Sequence, residues 1–239
     1  MSSLILVRHG HARSFDQDSD QLSLTGEVQA RALANYWIEQ GQSCNEVYCG
    51  SLTRQRQTAE IVGRCFNEAG ANWPHLQTTS ELNEYDARGM INLLIPALAE
   101  RDSGFRELVA DFELKRNTPE RNRSFQKMFE ALTSVWQQQE LEVEGVESCS
   151  TFRTRVRAFL EGITSSEQSG RRIVVFTSGG VIGLFVQTVL GAPEVKMLDL
   201  NWRIRNCSLT EFIFSRDRLS LDYFNATPHL NEPSLITYR

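Results

Sequence analysis

A four-residue apolar run, Leu4-Ile5-Leu6-Val7, stops abruptly at Arg8-His9-Gly10-His11. Continuous apolar runs of this length read as strands buried on both faces, and such strands belong to mainly parallel sheets covered by helices. In open α/β sheets ligands bind outside the carboxyl ends of the strands. An arginine, a histidine and a glycine stand at that end here, although the same three residues also suit a plain polar turn.

The rest of the chain alternates strands with helices. Ser23 or Thr25 caps a predicted helix in which Val28, Ala32, Leu33, Tyr36 and Trp37 share one face and which Gly41 ends. A short strand over 46–49 leads to a second helix from Leu52 to about Phe66, and 76–79 is a third strand. From Gly89 to about Gly145 the pattern is helical. Thr118-Pro119 forms an N-cap and N1 pair there, and Phe125, Met128, Phe129, Leu132, Val135 and Trp136 follow at helical spacing, a stripe that reads as packing. A helix over 151–163 buries Phe152, Val156, Phe159, Leu160 and Ile163 and leaves Arg153, Arg155 and Arg157 on a solvated face. Residues 173–176 form a second continuous buried strand, Gly179-Gly180 opens the next helix, and strands over 208–214 and 219–224 make a hairpin. The expected fold is α/β: three layers around a mainly parallel sheet with an antiparallel edge, a single domain over 1–239 carrying a helical insertion at about 89–146.

One helix carries chemistry. At about 100° per residue, Arg54 aligns with Thr58, Ile61 and Cys65 on the apolar side, whereas Arg56 aligns with Glu60 and Arg64 and faces solvent. Arg54 also lies in the first turn, where the helix dipole opposes a cation. A cation facing inward at that end needs an anion, either a buried carboxylate or a bound ligand.

Composition bounds the partners. Lys+Arg of 25 against Asp+Glu of 30 leaves a net charge of -5, which removes any general attraction to nucleic acid or an anionic membrane, so an anion site must be local. The most apolar stretch, 173–190, is broken by Thr177-Ser178-Gly179-Gly180 and carries Gln187, so it reads as strand, turn and helix rather than a membrane span. No basic segment precedes an apolar one at the N-terminus, so no signal peptide is expected. Five scattered cysteines without metal-ligand spacing read as reduced thiols of a cytoplasmic protein, Cys149 among them as a structural thiol. Asp16, Asp18 and Asp20 alternate in the loop 12–21 but lack the glycine and distal glutamate of a calcium loop, so they read as solvated. No metal or cofactor is expected, and no feature specifies an oligomeric state.

Four features recur in chain order: Arg8-His9-Gly10, Ser51-Leu52-Thr53-Arg54 with Gln57-Thr58-Ala59, Leu82-Asn83-Glu84, and a strand ending in Gly179-Gly180. Over roughly residues 4–214 this set resembles the histidine phosphatase superfamily, the group that includes the cofactor-dependent phosphoglycerate mutases. The resemblance implies that His9 accepts a phosphoryl group, that Arg8 and Arg54 clamp the phosphate oxygens with help from Gly10 and Gly179, and that Glu84 protonates the leaving oxygen and then activates water. Glu81 and Asp86 compete for that last role. These residue types suit phosphoryl transfer, since a neutral imidazole offers a lone pair and guanidinium groups stabilise phosphoryl charge bidentately. One position departs from the pattern, because the strand before the paired glycines usually ends in a second histidine and here ends in Ser178, a neutral donor. His11 is placed to enter the pocket and partly replace the missing imidazole. The expected function is metal-independent phosphomonoester hydrolysis of a small phosphorylated metabolite through phosphohistidine. The alternatives are a mutase-type phosphotransferase and a catalytically degenerate phosphate-binding module. The loop 12–21 and the helical insertion would set specificity.

Overall fold

The computed structural model describes residues 1–13, 20–166, 168–216 and 218–238. In chain order the elements are β1 (Ser2–Arg8), α1 (Leu24–Glu39), β2 (Glu46–Cys49), α2 (Thr53–Glu68), β3 (Leu76–Thr78), α3 (Ala87–Gly89), α4 (Ile95–Arg101), α5 (Ser103–Lys115), α6 (Arg121–Gln138), α7 (Cys149–Thr164), β4 (Arg172–Thr177), α8 (Gly179–Val189), α9 (Lys196–Asn201), β5 (Leu209–Ser215) and β6 (Arg218–Ala226). A 3₁₀ turn, Ser80–Leu82, follows β3, and a second, Pro233–Leu235, follows β6. The chain divides into two compact units, Met1–Glu84 with Arg155–Arg239, and Tyr85–Thr154.

The first unit is built on a six-stranded sheet of order β3-β2-β4-β1-β5-β6. β3, β2, β4 and β1 run parallel, whereas β5 pairs antiparallel with β1 and β6 antiparallel with β5. The centre is apolar on both faces, as the sequence requires: Leu4, Leu6, Val7, Ile173, Val175 and Phe176 are fully buried, while β6 at the rim alternates toward exposure. Ile5, Val7, Val47, Cys49, Val174 and Phe176 face one side and pack against Leu33, Ala34 and Trp37 of α1 and Ala59, Val62 and Phe66 of α2. On the opposite side, Tyr48 meets Phe159 of α7 edge-on at 5.4 Å and Phe212 meets Phe185 of α8 at 6.3 Å. Neighbouring β1 and β4 thus send their chains to helices on opposite faces, which opens a crevice at their carboxyl ends.

Polar contacts override apolar periodicity in α1. Val28 is exposed, and the buried face is instead Gly26, Gln29, Ala30, Leu33, Ala34 and Trp37. The rotation is fixed by backbone proximity, since a Cβ on Gly26 would lie 2.2 Å from His11 O and one on Gly10 would lie 2.6 Å from Gly26 O. Only two glycines allow α1 to approach the turn after β1 this closely.

The second unit is helical, with α3 to α6 and the start of α7 in it. Phe125, Met128, Phe129, Leu132 and Trp136 line the buried face of α6. Trp136 packs with Tyr85 at 5.2 Å and Phe152 at 5.9 Å, while its indole N–H donates to Glu147 O at 2.7 Å. The stripe is core. The cap of α6 is Glu120, two residues beyond the expected Thr118, because Thr118 Oγ1 donates to Lys115 O and closes a turn on the preceding helix. No helix among the described residues is long and apolar enough to cross a membrane.

Candidate active site

β1 ends at Arg8 and delivers His9, which is 6% exposed, to the crevice. Its backbone is held by its neighbours on both sides: His9 N donates to Thr177 O at 2.8 Å, and His9 O accepts from Cys207 N at 3.2 Å and Asn206 Nδ2 at 3.3 Å. The imidazole is fixed as firmly. Arg54 Nε lies 3.1 Å from His9 Nε2, and His9 Nδ1 lies 2.7 Å from Gly10 O. A guanidinium only donates and a carbonyl only accepts, so Nε2 carries the lone pair and Nδ1 the proton. Burial, followed by the positive charges of Arg54 and Arg8, holds the His9 pKa well below the usual histidine range despite the opposing bond to Gly10 O. The ring is neutral at physiological pH.

Arg54 has the anion its position demands. Its Nη1 meets Asp20 Oδ1 at 2.5 Å, and Asp20 Oδ2 accepts from Thr53 N at 2.7 Å, the first amide of α2. The carboxylate therefore neutralises Arg54 and also caps the helix, which corrects the expectation that Asp20 is merely solvated. Asp16 and Asp18 lie outside the described residues.

Arg8 follows a different course. Its Nη1 donates to the carbonyls of Ile204 and Tyr238, at 2.8 Å for the latter, so part of its guanidinium engages the C-terminal segment. That segment is itself tied in: Thr237 Oγ1 donates to Asn206 Oδ1 at 2.9 Å, and buried Gln29 donates to Leu235 O and Thr237 Oγ1. Gln29 Oε1 accepts from His11 N at 2.8 Å, while the His11 ring pairs with Ser23 Oγ, the N-cap of α1, also at 2.8 Å. His11 is thereby directed toward the start of α1. Gly10 N donates to Thr58 Oγ1 at 3.1 Å, which ties the turn to α2.

Glu84 reaches the start of α8, just after the end of β4. Gly180 N, in the first turn of α8, donates to Glu84 Oε2 at 3.1 Å. The loop carrying Glu84 is anchored by Arg155, whose Nη1 lies 2.9 Å from Glu81 O and 2.8 Å from Asn83 O and whose Nη2 lies 3.2 Å from Glu84 O. Arg155 is therefore no solvated side chain, and Arg153 is buried; an α-helical charge pattern cannot foresee backbone carbonyls arriving from a distant loop. Ser178 is fully buried, and its Oγ accepts from Gln55 Nε2 at 2.8 Å. Gly179 is pressed against α9, where an added Cβ would lie 2.2 Å from Asn201 Oδ1.

His9, Gly10 and Arg54 thus meet directly, Glu84 joins Gly180, and Ser178 joins Gln55. Gln55 escaped sequence reading although it falls in register with Ala59, Val62 and Phe66, all buried on α2. Gln29, in register with Leu33 and Trp37, left the same signal in α1.

The sequence profile of the histidine phosphatase superfamily (branch 1) matches residues 4–120 and 87–227. No curated protein sequence matches the chain significantly. Among solved structures, a phosphoserine phosphatase variant from Entamoeba histolytica in complex with phosphoserine is 17% identical, with a TM-score of 0.60 over 96% of this chain and 100% of that one. A mycobacterial glucosyl-3-phosphoglycerate phosphatase in complex with inorganic phosphate is 19% identical (TM-score 0.59, 95% and 98% covered). A phosphoglycerate mutase from Bacillus anthracis is 16% identical (TM-score 0.62, 96% and 95% covered). At such identity these similarities establish a shared phosphoglycerate mutase-like fold, and the profile match over most of the sequence places this chain in the histidine phosphatase superfamily.

Proposed function

We propose that the chain is a phosphomonoester hydrolase acting on a small phosphorylated metabolite through a phosphohistidine at His9, without a metal. The observation that carries this reading is the lone pair of His9 Nε2, held beside the Arg54 guanidinium in a buried, neutral ring. An incoming phosphoryl oxygen takes the Arg54 Nε–H and releases Nε2 to attack phosphorus. The N–P bond forms as the ester P–O bond breaks, and the Glu84 carboxyl gives its proton to the leaving oxygen. Water then attacks phosphorus, Glu84 takes back a proton, and the N–P bond breaks to return neutral His9 and inorganic phosphate. Charge on the transferring group is met by Arg54, with Arg8 and the amides at the start of α8 as further donors. We read the helical unit as an insertion within one domain, and the protein as cytoplasmic.

p-Nitrophenyl phosphate turnover, with and without chelator, tests this reading. Chelator-resistant turnover that His9→Ala abolishes is expected; unchanged turnover in His9→Ala contradicts it. Glu84→Gln should slow poor leaving groups more than good ones, and equal slowing would move the acid role elsewhere. A second reading, an anion-binding module without turnover, is favoured by the engagement of Arg8 Nη1 with two backbone carbonyls, and it agrees with the family resemblance, which implies a histidine at the position of Ser178. Tight vanadate binding without turnover would select it.

A further inference from the structure

Ser178 is an N-cap that does not cap. It has the extended backbone of that position, φ -124° and ψ 170°, yet its side chain makes no bond to the first turn of α8, although an N-cap serine ordinarily accepts from those amides. One of them, Gly180 N, is given to Glu84 instead. The Ser178 hydroxyl turns toward α2.

The partner it finds there has only one possible orientation. Gln55, fully buried, accepts from Leu52 N through Oε1 at 3.3 Å and donates to Leu82 O through Nε2 at 3.1 Å. A backbone N–H only donates and a carbonyl only accepts, so the amide cannot be flipped. The second Nε2 hydrogen is then directed at Ser178 Oγ, which must accept it. That leaves the hydroxyl with its own proton to give, and none of the described residues accepts it. A fully buried hydroxyl with an undirected proton carries a desolvation cost unless a ligand receives it.

We infer that Gln55 is a positioning residue that fixes Ser178 as an obligate hydrogen-bond donor to the bound phosphoryl group, so that a neutral amide–hydroxyl pair stands in for an imidazole. The inference rests on the phosphoryl-site reading above and deepens it. The donated bond strengthens as charge develops on the phosphoryl oxygens, so it acts mainly on kcat. Gln55 touches no substrate and acts only through Ser178.

A double-mutant cycle tests the pair. For p-nitrophenyl phosphate, Ser178→Ala should lower kcat on the order of 10²-fold, as loss of one preorganised donor does, with KM changing far less and vanadate inhibition weakening in parallel. Gln55→Met should lower kcat by roughly tenfold, and the double variant should be no slower than Ser178→Ala, because the amide has nothing left to direct. Losses that multiply would overturn the inference, as would wild-type kcat and vanadate affinity in Ser178→Ala. If variants at position 55 fail to fold, Ser178→Ala alone decides by its kcat and vanadate affinity. His9→Ala separates the two levels: turnover surviving there defeats the phosphohistidine reading, whereas turnover lost there but unaffected by Ser178→Ala defeats only this inference.

Discussion

Arg54 holds the nucleophile and its own counter-ion at once. Its Nε–H occupies the His9 lone pair while Nη1 meets Asp20, so anion binding must displace one contact and compete with the other. Replacing Asp20 by Asn keeps an oxygen to accept from Thr53 N but removes a negative charge beside the site. Two like charges this close, partly screened, are worth about 1 kcal/mol. Asp20→Asn should therefore tighten inorganic phosphate inhibition roughly fivefold, and weaker inhibition would mean that Asp20 serves to hold Arg54 in place. The inward aim of Arg54 was legible from helical periodicity, as was its need for an anion. The identity of that anion was not, because no pattern in the loop 12–21 marks which of its carboxylates folds back onto α2. Gln55 was hidden for another reason: a buried amide leaves no periodic or charge signal beyond its register with the apolar face.

Between elements, the site depends on how closely α1 and α2 approach the turn after β1. Gly10 and Gly26 are in backbone contact, and Thr58 of α2 accepts from Gly10 N while donating to Arg54 O at 2.7 Å. Gly26→Ala would put a methyl 2.2 Å from His11 O, where no flexible side chain can yield. Overpacking of this kind costs about 1–3 kcal/mol. A lowered urea midpoint together with reduced turnover is expected, and a variant unchanged in both would show that the turn is more pliant than this contact suggests. The continuous buried strands were readable because burial on both faces leaves an unbroken apolar run, whereas their order in the sheet was not, because an apolar run does not name its neighbours. The rotation of α1 was not, because Gln29 and Gly26 are buried for hydrogen bonding and close approach rather than for hydrophobicity. Arg155 was missed likewise, since its carbonyl partners lie about seventy residues away.

For the molecule as a whole, acid sensitivity follows from buried neutral histidines. Burial pushes His229, 6% exposed, down to about 4, and His9 is lowered as well. In the unfolded chain both titrate near the reference value of about 6.5. Between these limits the unfolded state binds more protons, so stability is fully present above pH 6.5 and is lost as pH falls toward 4. For His229 alone the loss is on the order of 3 kcal/mol. Urea unfolding at pH 7.5 and 4.5 checks the slope, and His229→Leu should flatten much of it; an unaltered slope in that variant would assign the acid sensitivity elsewhere.

The account centres on His9 Nε2 as the atom that carries the phosphoryl group between substrate and water. A rapid alkaline quench during p-nitrophenyl phosphate turnover preserves an N–P bond, and peptide mass spectrometry then locates it. The prediction is one phosphoryl group on His9, trapped only while substrate remains and absent from His9→Ala. Steady turnover with His9 unmodified, or the phosphoryl group on another residue, would contradict it.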